Sequence, residues 1–98
     1  MALPNGLLDA AKNELDISWS DEATEKKLTG ILERGIAYLD RHAGAAKDYT
    51  VEGDARALLF DYARYARAGA LDEFEKNYLH ELLSLQIDTT VTVVTEGA

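Results

Sequence analysis

Cysteine is absent from the 98-residue chain, which excludes a disulfide framework and a thiolate metal centre, and suits a reducing cytoplasm. No run approaches the ~20 apolar residues that a membrane span needs. The first twenty residues contain Pro4 and Asn5 and alternate apolar with charged positions, unlike a signal peptide or export sequence. A soluble chain is expected. Positive charge is scarce: ten Lys and Arg stand against eighteen Asp and Glu, a net charge of -8. That balance repels phosphate backbones and argues against tight nucleic-acid binding over the whole surface, though a local basic face could exist. Histidine occurs twice, at His42 and His80, and no His, Asp or Glu set has the spacing of a metal-binding helix.

What remains is apolar and helical in pattern. The apolar fraction is 47%, with five Tyr, two Phe and one Trp, enough for one core and too little for two. Net stability of such a domain is about 5 to 10 kcal/mol.

Leu7, Leu8, Ala11 and Leu15 predict a short first helix, with Asn5 as its cap. Trp19 stands in a connector, and Ser20 caps the next helix, where Asp21 and Glu22 favour the positive end. From Leu28 through Ile31, Leu32, Gly35 and Ile36 to Leu39 the apolar positions form one stripe, with Lys26, Glu33 and Asp40 behind it. This second helix, over 20–42, is the expected spine. Gly35 lies in the stripe, where a missing side chain lets another helix approach. Gly30 lies on the polar side, where it costs about 1 kcal/mol relative to Ala, so a neighbouring chain packing there stands against simple drift at an exposed position.

Residues 43–53 have no period and read as a long loop. A third helix starts near Asp54, carries Ala55, Leu58, Leu59, Tyr62, Ala63 and Ala66 on a broad arc, and closes at Gly69. Asp72 and Glu75 have capping-box spacing for a fourth helix with Phe74, Tyr78, Leu82 and Leu85 on its apolar face. The short connection makes the third and fourth helices an antiparallel pair. The tail changes character. Thr89, Thr90, Val91, Thr92, Val93 and Val94 suit an extended strand, and a lone strand needs a partner for its backbone groups. The expected fold is therefore all-α, a compact bundle of about four helices over 1–87 with an extended arm over 88–98 that is disordered or paired with another molecule.

No residue set has the form of an active site. Ser18 and Ser20 are explained as turn and cap residues, Glu22 with Glu25 and Glu73 with Glu75 as first-turn carboxylates, and the scattered glycines make no phosphate-cradling loop. A non-enzyme without cofactor or metal is expected. One local anomaly stands out: Arg56, Phe60, Arg64 and Arg67 project to the least apolar side of the third helix. Two readings stay open, a solvated face with Phe60 tucked under the long loop, or a contact surface, with an acidic patch of an identical neighbour as the natural partner and nucleic acid as the weaker alternative.

The segments LLDAAKNELDI, LTGILERGIAYLDRHAG and ALLFDYARYARAGALDEFEKNYLHELLSLQI, together spanning roughly Gly6 to Ile87, resemble the head-tail connector (adaptor, head-completion) family of tailed bacteriophages and prophages. The resemblance rests on helix order and apolar pattern. It implies a helical bundle that assembles as a ring, usually dodecameric, beneath the portal protein and offers a docking surface to a neck or tail completion protein. It places the protein in the virion at the head-tail junction, after synthesis in the bacterial host cytoplasm, with DNA passing through the lumen without sequence-specific binding and no membrane involved. It also implies that the C-terminal segment takes part in assembly contacts. A rival expectation, from charge alone, is a small acidic helical module that sequesters a basic protein partner; its acids should then align in a continuous stripe, whereas here they cluster at helix starts.

Overall fold

The computed structural model describes the backbone of residues 3–18 and 21–97 and the side chains of 3–18 and 21–87. Four helices follow one another: α1 (Leu7–Glu14), α2 (Glu22–Ala43), α3 (Asp54–Arg67) and α4 (Leu71–Gly97), with no strand among the described residues.

α1 starts from Gly6 in the left-handed region, not from an Asn5 cap. It ends where Asp16 takes φ 60 and the Ile17 amide reaches back to Lys12 O at 2.8 Å. That bond closes the helix C-terminus and drops Ile17, 5% exposed, into the core. The α2 cap is Asp21, whose carboxylate accepts from the Thr24 amide at 3.1 Å; the cap expected at Ser20, and Trp19 beside it, lie outside the described residues. α2 buries Leu28, Ile31, Leu32, Gly35, Ile36 and Leu39, the stripe its period predicts. It touches all three other helices and is the spine. A Cβ built on Gly35 would stand 2.7 Å from Leu59 Cδ1 and 2.8 Å from Tyr62 Cδ1, so the glycine sets the approach of α3.

The loop between α2 and α3 is tied down by one carboxylate. Asp40 Oδ1 accepts from the Lys47 amide at 3.0 Å and from the Tyr49 hydroxyl at 2.8 Å, and Tyr49 is buried in the core. Burial, then the bond to Asp40, raise the Tyr49 hydroxyl well above its ordinary pKa.

α3 closes on Gly69, φ 69, with Ala70 N bonded to Tyr65 O at 2.9 Å and Gly69 N to Ala66 O at 3.1 Å. Residues 68–70 then fold α4 back along α3. α4 begins at Leu71, so Asp72 lies inside its first turn rather than at the cap. At Tyr78 the backbone leaves helical geometry, with φ -114 and ψ 16. The break coincides with a cluster of rings. Phe74, almost fully buried, stacks on Tyr78 at 4.8 Å and meets Tyr38, Tyr62 and Tyr65 edge-on at 5.5 to 6.0 Å.

The backbone of α4 is helical to Gly97, where an extended arm was expected from residue 88 onward. The side chains expected to form a pairing arm, Thr89, Thr90, Val91, Thr92, Val93 and Val94, lie outside the described residues.

Candidate protein-contact surfaces on α3 and α4

The arginine side of α3 is largely occupied from within the chain. Arg56, 19% exposed, lies 5.3 Å from the Phe60 ring centroid, donates to Thr50 O at 3.4 Å and faces Glu52 at 3.8 Å. Phe60 itself is 5% exposed, a core residue beneath Arg56, with Glu52 of the preceding loop lining the same small recess. Arg64 clamps α1. Its Nη2 donates to Glu14 O at 3.2 Å and Glu14 Oε2 at 3.0 Å, while Nη1 holds Asp61 Oδ1 at 2.7 Å.

Arg67 alone of this group is exposed and without an ion pair among the described residues. It borders a shallow depression of about 200 Å³ with Thr24, Lys27, Leu28 and Ile31. Gly30 is half-buried on α2, and a Cβ there would meet only the tip of Arg34, at 3.2 Å. The five residues therefore do not form one patch: two arginines and the phenylalanine are engaged internally, and Arg67 and Gly30 remain at the surface.

On the other flank of α3 a cleft of about 330 Å³ opens towards α4, with Asp54, Asp61 and Glu81 on its walls and Ala57, Leu58 and Tyr78 among its lining. Burial, then the Asp61 carboxylate, raise the Tyr78 hydroxyl above its ordinary pKa. Among the described residues no group of three or more His, Cys, Asp or Glu could hold a metal ion, and no helix is long and apolar enough to cross a membrane.

The feature that the expected apolar faces miss is on α4. Leu82 and Leu85 are buried against the bundle, while Leu79, Leu83 and Ile87 are 52%, 48% and 60% exposed on the outer face. With Leu71 they are four of the five exposed large apolar residues among those described, the fifth being Val51. A helix that is apolar on both faces is ordinarily enclosed on both, and here one face meets solvent. The signal lay in the sequence: the run Leu79 to Ile87 has a leucine or isoleucine at five of its nine positions, more than one buried face can use.

No protein-family model, curated protein or solved structure matches this chain.

Proposed function

We propose that the chain is a structural assembly protein, a head-tail connector of a tailed phage or prophage that forms a ring beneath the portal and joins the DNA-filled head to the tail. The observation that carries the reading is the exposed Leu79, Leu83 and Ile87 face of α4, since an apolar stripe on the outside of a bundle suits a protein contact. The four-helix order agrees with what the connector resemblance implies. In this role residues 1–87 are the helical body, residues 88–98 a tail that engages a neighbour, and Arg67 and Gly30 the surface positions nearest a second subunit. The charge of -8 would let DNA pass a lumen lined by these chains without adhering.

Light scattering across a concentration series, with and without the portal protein encoded in the same genome, tests this. Ring-sized particles, or binding to portal, are expected. A chain that stays monomeric throughout and never binds portal would sink the proposal.

A second reading has one specific support, the acidic cleft of Asp54, Asp61 and Glu81 between α3 and α4. An acidic binding module would place a basic segment of a partner there. Capture of one basic DNA-binding protein without ring formation, lost on Glu81→Lys, would favour it.

A further inference from the structure

We infer that α4 is two helices hinged at Tyr78, the first fixed to the bundle and the second able to pivot over the α3–α4 cleft. Its use rests on the assembly reading, since the pivot aims the outer face of α4. At Tyr78 φ and ψ are -114 and 16, against about -63 and -42 in a regular helix. Breaks of this kind ordinarily mark a proline, a glycine or an inserted group, and the stretch from Leu71 to Ile87 contains neither proline nor glycine. Every residue in it can therefore join a continuous helix, so the broken and straight forms are two packings of one sequence.

The two halves are anchored unequally. In 71–77, Phe74 is 1% exposed among the rings of Tyr38, Tyr62 and Tyr65. Glu75 meets His42 Nε2 of α2 at 3.4 Å, and Asn77 Nδ2 donates to the Tyr65 hydroxyl at 3.2 Å. The short turn 68–70 ties the start of this half to α3. In 79–87 only Leu82 and Leu85 are buried and the other residues are exposed. None of the ion pairs or ring contacts of the described residues falls in this second half. Tyr78 stands at the junction, stacked on Phe74 at 4.8 Å and edge-on to Tyr65 at 5.6 Å. Its ring belongs to the fixed half, and the chain turns beyond it.

Between α3 and the second half lies the cleft of about 330 Å³, space that closely packed helices would fill. Asp54 and Asp61 of α3 and Glu81 of α4 share its walls. Arg64 holds Asp61 at 2.7 Å, whereas no ion pair among the described residues reaches Asp54 or Glu81. Like charges on facing walls resist closure, so these carboxylates hold the second half outward. Leu79, Leu83 and Ile87 lie on the exposed side of that half and travel with it, so the pivot changes the direction in which the apolar face is presented.

The absence of native cysteine lets spin labels be placed in chosen pairs. Arg34→Cys on α2 serves as a common reference, paired with Lys76→Cys in the fixed half or with Gln86→Cys in the moving half; all three positions are exposed. Double electron-electron resonance should give a narrow distance distribution for the first pair and one at least twice as broad for the second. Glu81→Gln should shift the second distribution and leave the first in place, with helicity by circular dichroism unchanged. Amide exchange should run faster in 79–87 than in 71–77. Equal widths for the two pairs, or a second distribution that Glu81→Gln does not move, overturns the hinge. These measurements need only the isolated chain, so the two ideas fail separately. A rigid α4 in a chain that still builds rings overturns the hinge and leaves the assembly role standing, whereas a pivoting α4 in a chain that never assembles or binds portal supports the hinge and sinks that role.

Discussion

A methyl group added at Gly35 would lie 2.7 Å from Leu59 and 2.8 Å from Tyr62, both buried. Gly35→Ala should therefore cost about 1 to 3 kcal/mol through overpacking, read as a lower midpoint in thermal or urea unfolding. Gly30→Ala should act the other way, raising stability by about 1 kcal/mol, because the new methyl meets only the movable end of Arg34. If Gly30 also faces a neighbouring subunit, the same variant would assemble less well despite the firmer fold. Tyr38 gives a pH-dependent case. Its hydroxyl is buried without a hydrogen-bond partner among the described residues, and burial, then the Glu75 carboxylate, push it up to about 12. The fold holds this group neutral, so its contribution is intact below pH ~10, the unfolded value. Stability then falls as pH rises from there towards the folded value, because the unfolded chain releases the proton first. Tyr38→Phe should flatten part of that alkaline loss and, by removing an unpaired hydroxyl, leave neutral-pH stability equal or higher. Denaturant melts at pH 7, 10 and 11 check both signs. Gly35 was legible in the sequence because it interrupts a regular apolar stripe. Tyr49 was not, since it is buried from an aperiodic loop, held by a bond to Asp40 that no local pattern announces. Phe60 was open to two readings, since its position on the helical wheel is the arginine side; it is buried, with Arg56 over its ring and loop residue Glu52 lining the same recess.

α1 illustrates how an element of eight residues is kept in place. Leu7 and Ala11 give it a small buried face, Lys12 reaches Glu25 of α2 at 3.0 Å, and Arg64 of α3 grips its C-terminal turn. Arg64→Ala should release that turn, lowering stability by about 1 kcal/mol, a figure held down by the exposure of the ion pair. It should also speed amide exchange in α1 well beyond that in α2, as mass spectrometry of deuterated fragments would report. Arg64→Lys should not restore protection, because one ammonium cannot serve the backbone carbonyl, Glu14 and Asp61 from the same fork. α2 was the most legible element, its six-position stripe reappearing as the buried face. α4 was half legible. The choice of Phe74, Tyr78, Leu82 and Leu85 as its apolar face holds for the body of the bundle, but choosing one face conceals a second.

Across the whole molecule the electrostatics oppose self-association and the apolar strip favours it. Two copies at -8 each repel, and raising salt from ~0.05 to ~0.5 M shortens the Debye length from above 10 Å to a few Å. Self-assembly through that strip should therefore tighten with salt. A contact between the acidic cleft and a basic partner should loosen over the same range, so a salt titration in the ultracentrifuge separates the two readings. Fold class was open to sequence reading because three of the four helices are plainly amphipathic. The contact surface was less so. Side-chain reach decides that Arg56 and Arg64 are spent on internal partners while Arg67 has no ion pair among the described residues, and for Arg64 it depends on a tertiary neighbour fifty residues away.

The grip of Asp40 on the Lys47 amide and the Tyr49 hydroxyl also bears on how the chain meets a protease. Trypsin requires several residues around its cleavage point to lie extended in its groove, and the segment either side of Lys47 cannot do so while both bonds hold. Lys47 should thus resist digestion although it lies in the longest connection of the described chain. Asp40→Ala should turn it into the first site cut, dividing the protein between its spine and the α3–α4 pair.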